Sequence, residues 1–205
     1  MPDLLFIRPA DDSAAGHIAT WGQAVLLLAG AFSSTDLYGP QATRTNVDVE
    51  LPNASSVLYF GHGSTTALIA GGSALVEDQN LHALGGGVVV AIACHSAVTL
   101  GQAAGTTHPN VVAFLGFDDE LGFPLPAPLP MGMAVIDGLR GLLTQGHDIN
   151  SAADDLRHGF ARARMDYKAN GPSYGLSPSD TRTAWLYAKS NQYSVQLHGD
   201  KSARL

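Results

Sequence analysis

Apolar residues fall along this chain in short blocks separated by polar or glycine-rich breaks. Leu4 to Arg8, Ser56 to Phe60, Val88 to Ala93 and Val111 to Leu115 are short, mostly β-branched or aromatic runs with almost no charge. Such runs predict strands buried on both faces, as a parallel sheet covered by helices requires. Asp36 to Tyr38 supplies a further short strand after the first helix. Longer stretches with helical spacing lie between them: about Ala14 to Ala31, Ala97 to Ala104, Met131 to Gln145 and Ser151 to Lys168. The first has Asp12 or Ser13 as its cap, and the last opens on Asn150 or Ser151 with acids early and bases late, as the helix dipole favours. Alternating strands and helices predict an α/β fold with a mostly parallel central sheet and helices on both faces.

The remaining segments are read from their punctuation. Thr66 to Ile69 and Ser73 to Val76 flank Gly71-Gly72, which suits a tight hairpin turn. Glu77 to Leu84 reads as a helical turn, and Gln41 to Asn53 fits either a short helix or an irregular connection. Pro124 to Pro130 alternates proline with small apolar residues, so it predicts an extended, flexible surface connection that borders a substrate groove or is cut on activation. Beyond a loop-like stretch from Asn170 to Asp180, Ala184 to Lys189 and Tyr193 to Leu197 pair as a terminal hairpin. The 205 residues fit one domain, with a core over about 4–168 and a C-terminal elaboration over about 169–205.

Composition narrows the function classes. Charged residues make up only 14% of the chain, the formal charge is −7, and the eleven Lys and Arg are scattered along the sequence. A nucleic-acid or anionic-membrane surface needs concentrated positive charge, so neither partner is expected. The longest apolar helical segment, Trp21 to Phe32, is too short to span a bilayer. The N-terminal residues lack a basic leader pattern and read as a first strand, which makes the cytoplasm the expected location. A single cysteine, Cys94, rules out an internal disulfide framework and a multi-thiolate zinc site. Cys94 is then either a nucleophile or a small core residue.

Two of the strand runs end on residues with chemistry. Val57-Leu58-Tyr59-Phe60 leads into Gly61-His62-Gly63-Ser64, and Val88 to Ala93 leads into Cys94-His95-Ser96. In open α/β sheets functional groups collect past the carboxyl ends of strands, so His62 and Cys94 are placed on one edge. A thiol attacks carbonyls as thiolate, and an imidazole can take its proton and return it to a leaving amine. Gly63 has no side chain to keep its N–H from a substrate, and with the N–H of Cys94 it makes a candidate oxyanion hole. Ala93, Ser96 and Ala97 are small enough to leave room beside the thiol.

A hydrophobic strand ending in His-Gly followed by one ending in Ala-Cys resembles the caspase-like cysteine peptidases. The likeness runs in order of elements from about Leu4 to Leu115 and is nearest to the bacterial CHAT-type and gingipain-like members. The resemblance implies a caspase-like three-layer sandwich. It also implies Cys94 as nucleophile, His62 as general base and acid, the Gly63 and Cys94 amides as oxyanion hole, and no metal or cofactor in the chemistry, although some relatives use calcium as an activator. It further implies limited cleavage of a protein or peptide substrate, in bacterial signalling, defence or self-killing, with any activating partner left open. The acid that some branches place two residues before the cysteine is Ile92 here, so no basic or asparaginyl preference follows from that position.

Candidate substrate-binding residues come from the same edge. Asp11 and Asp12 follow the first strand, and Asp118, Asp119 and Glu120 follow the fifth; a Lys or Arg side chain would pair with any that line a pocket. The alternative is that they are solvated loop and helix-cap carboxylates. Ile92 and Phe117 are the candidates for an apolar pocket. His95 reads as a rim residue, the remaining histidines lack partners at metal spacing, and the glycine runs match no nucleotide-binding frame. Two rivals stand beside the peptidase: a non-enzymatic interaction module with this fold, and a cysteine hydrolase of a non-peptide amide or ester.

Overall fold

The alternation of side chains along each strand divides the interior into two cores. Leu4, Phe6, Leu58, Phe60, Val88, Val90 and Ile92 face one side of the sheet, and Leu5, Ile7, Val57, Tyr59, Val89, Ala91 and Ala93 face the other. In the computed structural model, which describes residues 3–205, the sheet is built from β1 (Asp3–Arg8), β2 (Ser33–Tyr38), β3 (Ser56–Phe60), β7 (Gly87–Ile92), β8 (Val111–Phe117) and β9 (Val195–Gly199). The spatial order is β2-β1-β3-β7-β8-β9. The first five strands are parallel and β9 is antiparallel to β8. A second, three-stranded antiparallel sheet joins β4 (His62–Gly63), β5 (Ala67–Ala70) and β6 (Ser73–Glu77).

One face of the large sheet is covered by α1 (Ser13–Leu28), α5 (Leu129–Thr144), α6 (Ile149–Asn170) and α7 (Pro178–Ser194). The other is covered by α2 (Arg44–Glu50), α3 (Asp78–Leu81), α4 (Thr99–Thr107) and the small sheet through Leu68, Leu75 and Val76. The fold is therefore α/β, with a mostly parallel six-stranded sheet between helical layers. Among the described residues no helix is long and apolar enough to cross a membrane.

Three expectations change. The terminal hairpin is instead α7 followed by β9. Ser177 accepts a hydrogen bond from the Asp180 N–H and Pro178 occupies the first turn, so a helix starts there. Ala184, Ala188 and Asn191 then recur at helical spacing on the buried face, while Trp185 and Tyr187, whose type favours strands, lie on its outer side. Residues past 169 thus complete the central sheet. The Pro-rich connection is tethered: the Tyr167 hydroxyl donates to the Ala127 carbonyl at 2.7 Å, and Phe123 packs edge-on against Trp21 with ring centroids 4.8 Å apart. Finally, α6 is capped by Asp148, which accepts from the Ser151 N–H at 2.8 Å, so the cap precedes both Asn150 and Ser151.

Candidate active site

β3 and β7 are neighbours in parallel register, with Phe60 beside Ile92 and the Gly61 N–H donating to the Ile92 carbonyl at 3.3 Å. His62 and Cys94 each lie two residues beyond that matched pair, on adjacent exits from the same sheet edge. The small sheet fixes the His62 side. His62 pairs with Ile69 and Gly63 with Leu68, and the Tyr59 hydroxyl sits 2.9 Å from the His62 carbonyl and 2.6 Å from that of Ile69. Burial pushes the Tyr59 phenol far above its ordinary range, so it remains a hydrogen-bond donor.

Gly63 is required by packing. A Cβ there would lie 2.5 Å from the Cys94 carbonyl oxygen and 2.9 Å from the Ala93 Cβ. The two catalytic-type loops therefore touch through a contact that only glycine permits. The next residue, Ser64, donates its N–H to Ala67 at 2.8 Å. Hydrogen-bonded and non-bonded pairs alternate in an antiparallel ladder, so Gly63 falls at a non-bonded position and its N–H points away from β5.

Asp12 adds the third member. It caps α1 by accepting from the Ala15 N–H at 2.8 Å, and its other carboxylate oxygen lies 2.8 Å from His62 Nε2. The Ala15 bond, and next the His62 bond, hold its carboxyl below the usual carboxylate range against a desolvation penalty. An ionised carboxylate only accepts, so Nε2 carries a hydrogen and the other ring nitrogen, Nδ1, faces away from Asp12. The helix cap thus sets the histidine tautomer.

Cys94 is half-buried, and its sulfur accepts from the Leu121 N–H at 3.3 Å. Burial pushes its thiol up; the Leu121 bond opposes this, and the charges of Glu120 and Asp119 add to it. The balance favours thiol over thiolate, so attack on a carbonyl calls for a base at the moment of reaction. The loop that carries it is held from behind. His95 has a left-handed φ of 52°, and its N–H donates to the Asp119 carbonyl at 3.1 Å. Ser96 is fully buried, donating to the Ala93 carbonyl at 2.9 Å and accepting from the Phe117 N–H at 3.2 Å. Ala93, Ser96 and Ala97 therefore support the Cys94 loop from within the protein; they do not open space beside the thiol.

The candidate substrate residues are divided by the fold. Ile92 and Phe117 cannot form an apolar pocket, because both side chains are completely enclosed in the core, Phe117 edge-on against Phe160. Asp12 is committed to His62. Asp11 accepts from the Gly71 N–H at 2.5 Å and lines a cleft of about 520 Å³ beyond the ends of β1 and β2, together with Arg44. Arg44 is neutralised there by Asp48 and Glu77. Asp118 accepts from Gln196 at 2.8 Å, and Asp119 from Ser190 at 3.0 Å, so this pair braces the loop beside the thiol.

Sequence reasoning placed Asp12 on the correct edge but missed its bond to a residue fifty positions away. It also missed Asn191, whose buried amide grips both backbone groups of Gly122, at 3.1 and 2.8 Å, and so fixes the segment carrying Leu121. Neither residue has a local signature. Among the described residues, no three His, Cys, Asp or Glu side chains are grouped to hold a metal ion. Neither a protein-family model nor a curated protein matches this chain.

Proposed function

We propose that this chain is a caspase-like cysteine endopeptidase that makes limited cleavages in a protein substrate. The observation that carries the reading is that His62, bonded to Asp12, and Cys94 each lie two residues past a matched pair on adjacent parallel strands, with Gly63 packed against the Cys94 carbonyl. Nδ1 of His62 takes the thiol proton as Sγ bonds the substrate carbonyl carbon. The negative charge that develops on the carbonyl oxygen is met by the N–H groups of Gly63 and Cys94. His62 then returns the proton to the departing amine, leaving an acyl group on Cys94. Water activated by the same Nδ1 releases the acid and restores the thiol.

Each part answers a demand of that chemistry. The raised thiol needs a general base, the base needs a fixed tautomer, and Asp12 supplies it while capping α1. The mostly parallel sheet between helical layers is the architecture that the resemblance implies, and a regulated role follows from the same resemblance. The test is mass spectrometry after incubation with peptidyl electrophiles carrying Arg, Lys, Asp, Asn or Leu at P1, beside His62→Ala and Cys94→Ala controls. A single adduct on Cys94 that depends on His62 is expected. Folded protein that no electrophile modifies, or equal labelling of the His62→Ala variant, overturns the reading.

A further inference from the structure

Among the described residues, six of the eleven Lys and Arg form no ion pair with a carboxylate, and four of those six come together on one face of α6 and α7. Arg8, Arg44, Arg140, Arg157 and Arg162 are all paired with acids. Arg164, Lys168, Arg182 and Lys189 instead surround one indole. The Arg164 guanidinium lies 5.8 Å from the centre of the Trp185 ring and the Lys189 ammonium 5.6 Å from it. Lys168, Arg182, Trp185, Pro178 and Thr181 line a concavity of about 270 Å³. On α7, residues 182, 185 and 189 share a helical face, as do 164 and 168 on α6.

The acids nearest in sequence are turned elsewhere. Asp166 bonds Asn170 and Tyr174, and Asp180 bonds Ser177. Two enclosed polar atoms at this face, Arg164 Nε and Thr181 Oγ1, have no hydrogen-bond partner. The concavity also borders the first turn of a seventeen-residue helix, where the dipole favours negative charge. Four like charges gathered without counter-charge give this face a local positive potential on a chain of net −7, which attracts an anion.

We propose that this face binds a small phosphorylated ligand with a flat ring, of the mononucleotide class. The phosphoryl group pairs with Lys168 and Arg182, while the ring packs on Trp185 and Pro178. One indole beside one concavity suits a single such unit. A nucleic-acid strand is tracked by a longer basic groove with successive aromatic platforms, and the net charge of the remainder of the chain repels it. The site is separate from Cys94 and does not depend on the peptidase reading.

The test is an NMR titration of the full chain, following the indole N–H of Trp185, assigned with Trp185→Phe, at constant ionic strength. Adenosine monophosphate, inorganic phosphate, adenosine and sulfate are compared. Saturable shifts are expected with the monophosphate, weaker ones with phosphate and weakest with adenosine. Both lysine and arginine side chains are exposed, so a Lys168→Ala/Arg182→Ala variant should fold and lose affinity for the monophosphate about tenfold. Shifts no larger than those with sulfate, or unchanged affinity in the double variant, overturn the proposal. Tighter binding of a short oligonucleotide with a steep salt dependence overturns it in favour of a polymer site.

Discussion

Replacing Asp12 in two ways separates its two duties. Asparagine is as good a helix cap as aspartate, so Asp12→Asn should keep the bond from the Ala15 N–H and leave stability nearly unchanged. Its amide nitrogen, however, then faces His62 Nε2, where only an acceptor is compatible. The hydrogen moves to Nδ1 and the base is lost, a wrong-tautomer effect expected to slow Cys94 acylation by about 10²-fold or more. Asp12→Ala reverses the order. It removes the cap, costing about 1 kcal/mol, or roughly 2–4 °C in melting temperature for a domain of this size. Water can then replace the carboxylate without forcing a tautomer, so acylation should slow only about tenfold. Thermal unfolding and the second-order rate of labelling by a peptidyl electrophile, measured on both variants, give the comparison. An Asp12→Asn protein that labels within about threefold of the parent would show that Asp12 is only a helix cap. Acid titration adds a sign: because the folded carboxyl is held below its unfolded value, its contribution is complete above the unfolded value and is lost as pH falls through the folded one.

Three other outcomes follow from the site. Gly63→Ala places a methyl group 2.5 Å from the Cys94 carbonyl, so the two loops must part; urea unfolding should show a loss of about 1–3 kcal/mol, with labelling of Cys94 abolished. Ser96→Ala leaves the buried Phe117 N–H unpaired and should cost about 2 kcal/mol, seen as a lower urea midpoint at unchanged slope. Glu120→Gln removes a charge that raises the thiol, after burial the main upward influence, so the pH profile of iodoacetamide alkylation should move to lower pH; an unmoved profile would show that Glu120 does not act on the sulfur.

The Pro-rich segment shows how composition misled. Its prolines exclude ladder and helix hydrogen bonding, which by itself predicts freedom, yet the Tyr167 hydroxyl on the Ala127 carbonyl and Phe123 on Trp21 tie it to the core. The terminal hairpin failed for a related reason. Short apolar runs at 184–189 and 193–197 fit either strands or a helix, and burial of Ala184, Ala188 and Asn191 along one face decides for a helix. Ile92 and Phe117 were close enough in sequence to the site to suggest a pocket, but strand alternation turns both into the core beneath α6 and its neighbours.

The sequence by itself determined the central strands, the long helices before residue 170 and the placing of His62, Gly63 and Cys94 at strand ends, because period, β-branching and glycine breaks act over a few residues. Only the tertiary structure decided that β3 and β7 are neighbours, that Asp12 orients His62, that Leu121 contacts the sulfur, and that scattered cations gather around Trp185. Apart from Lys189, which is on the same helix as Trp185, those contacts join residues 21 to 50 positions apart. They arise from sheet order and helix packing, to which local spacing along the chain contributes nothing until the whole domain has closed on itself.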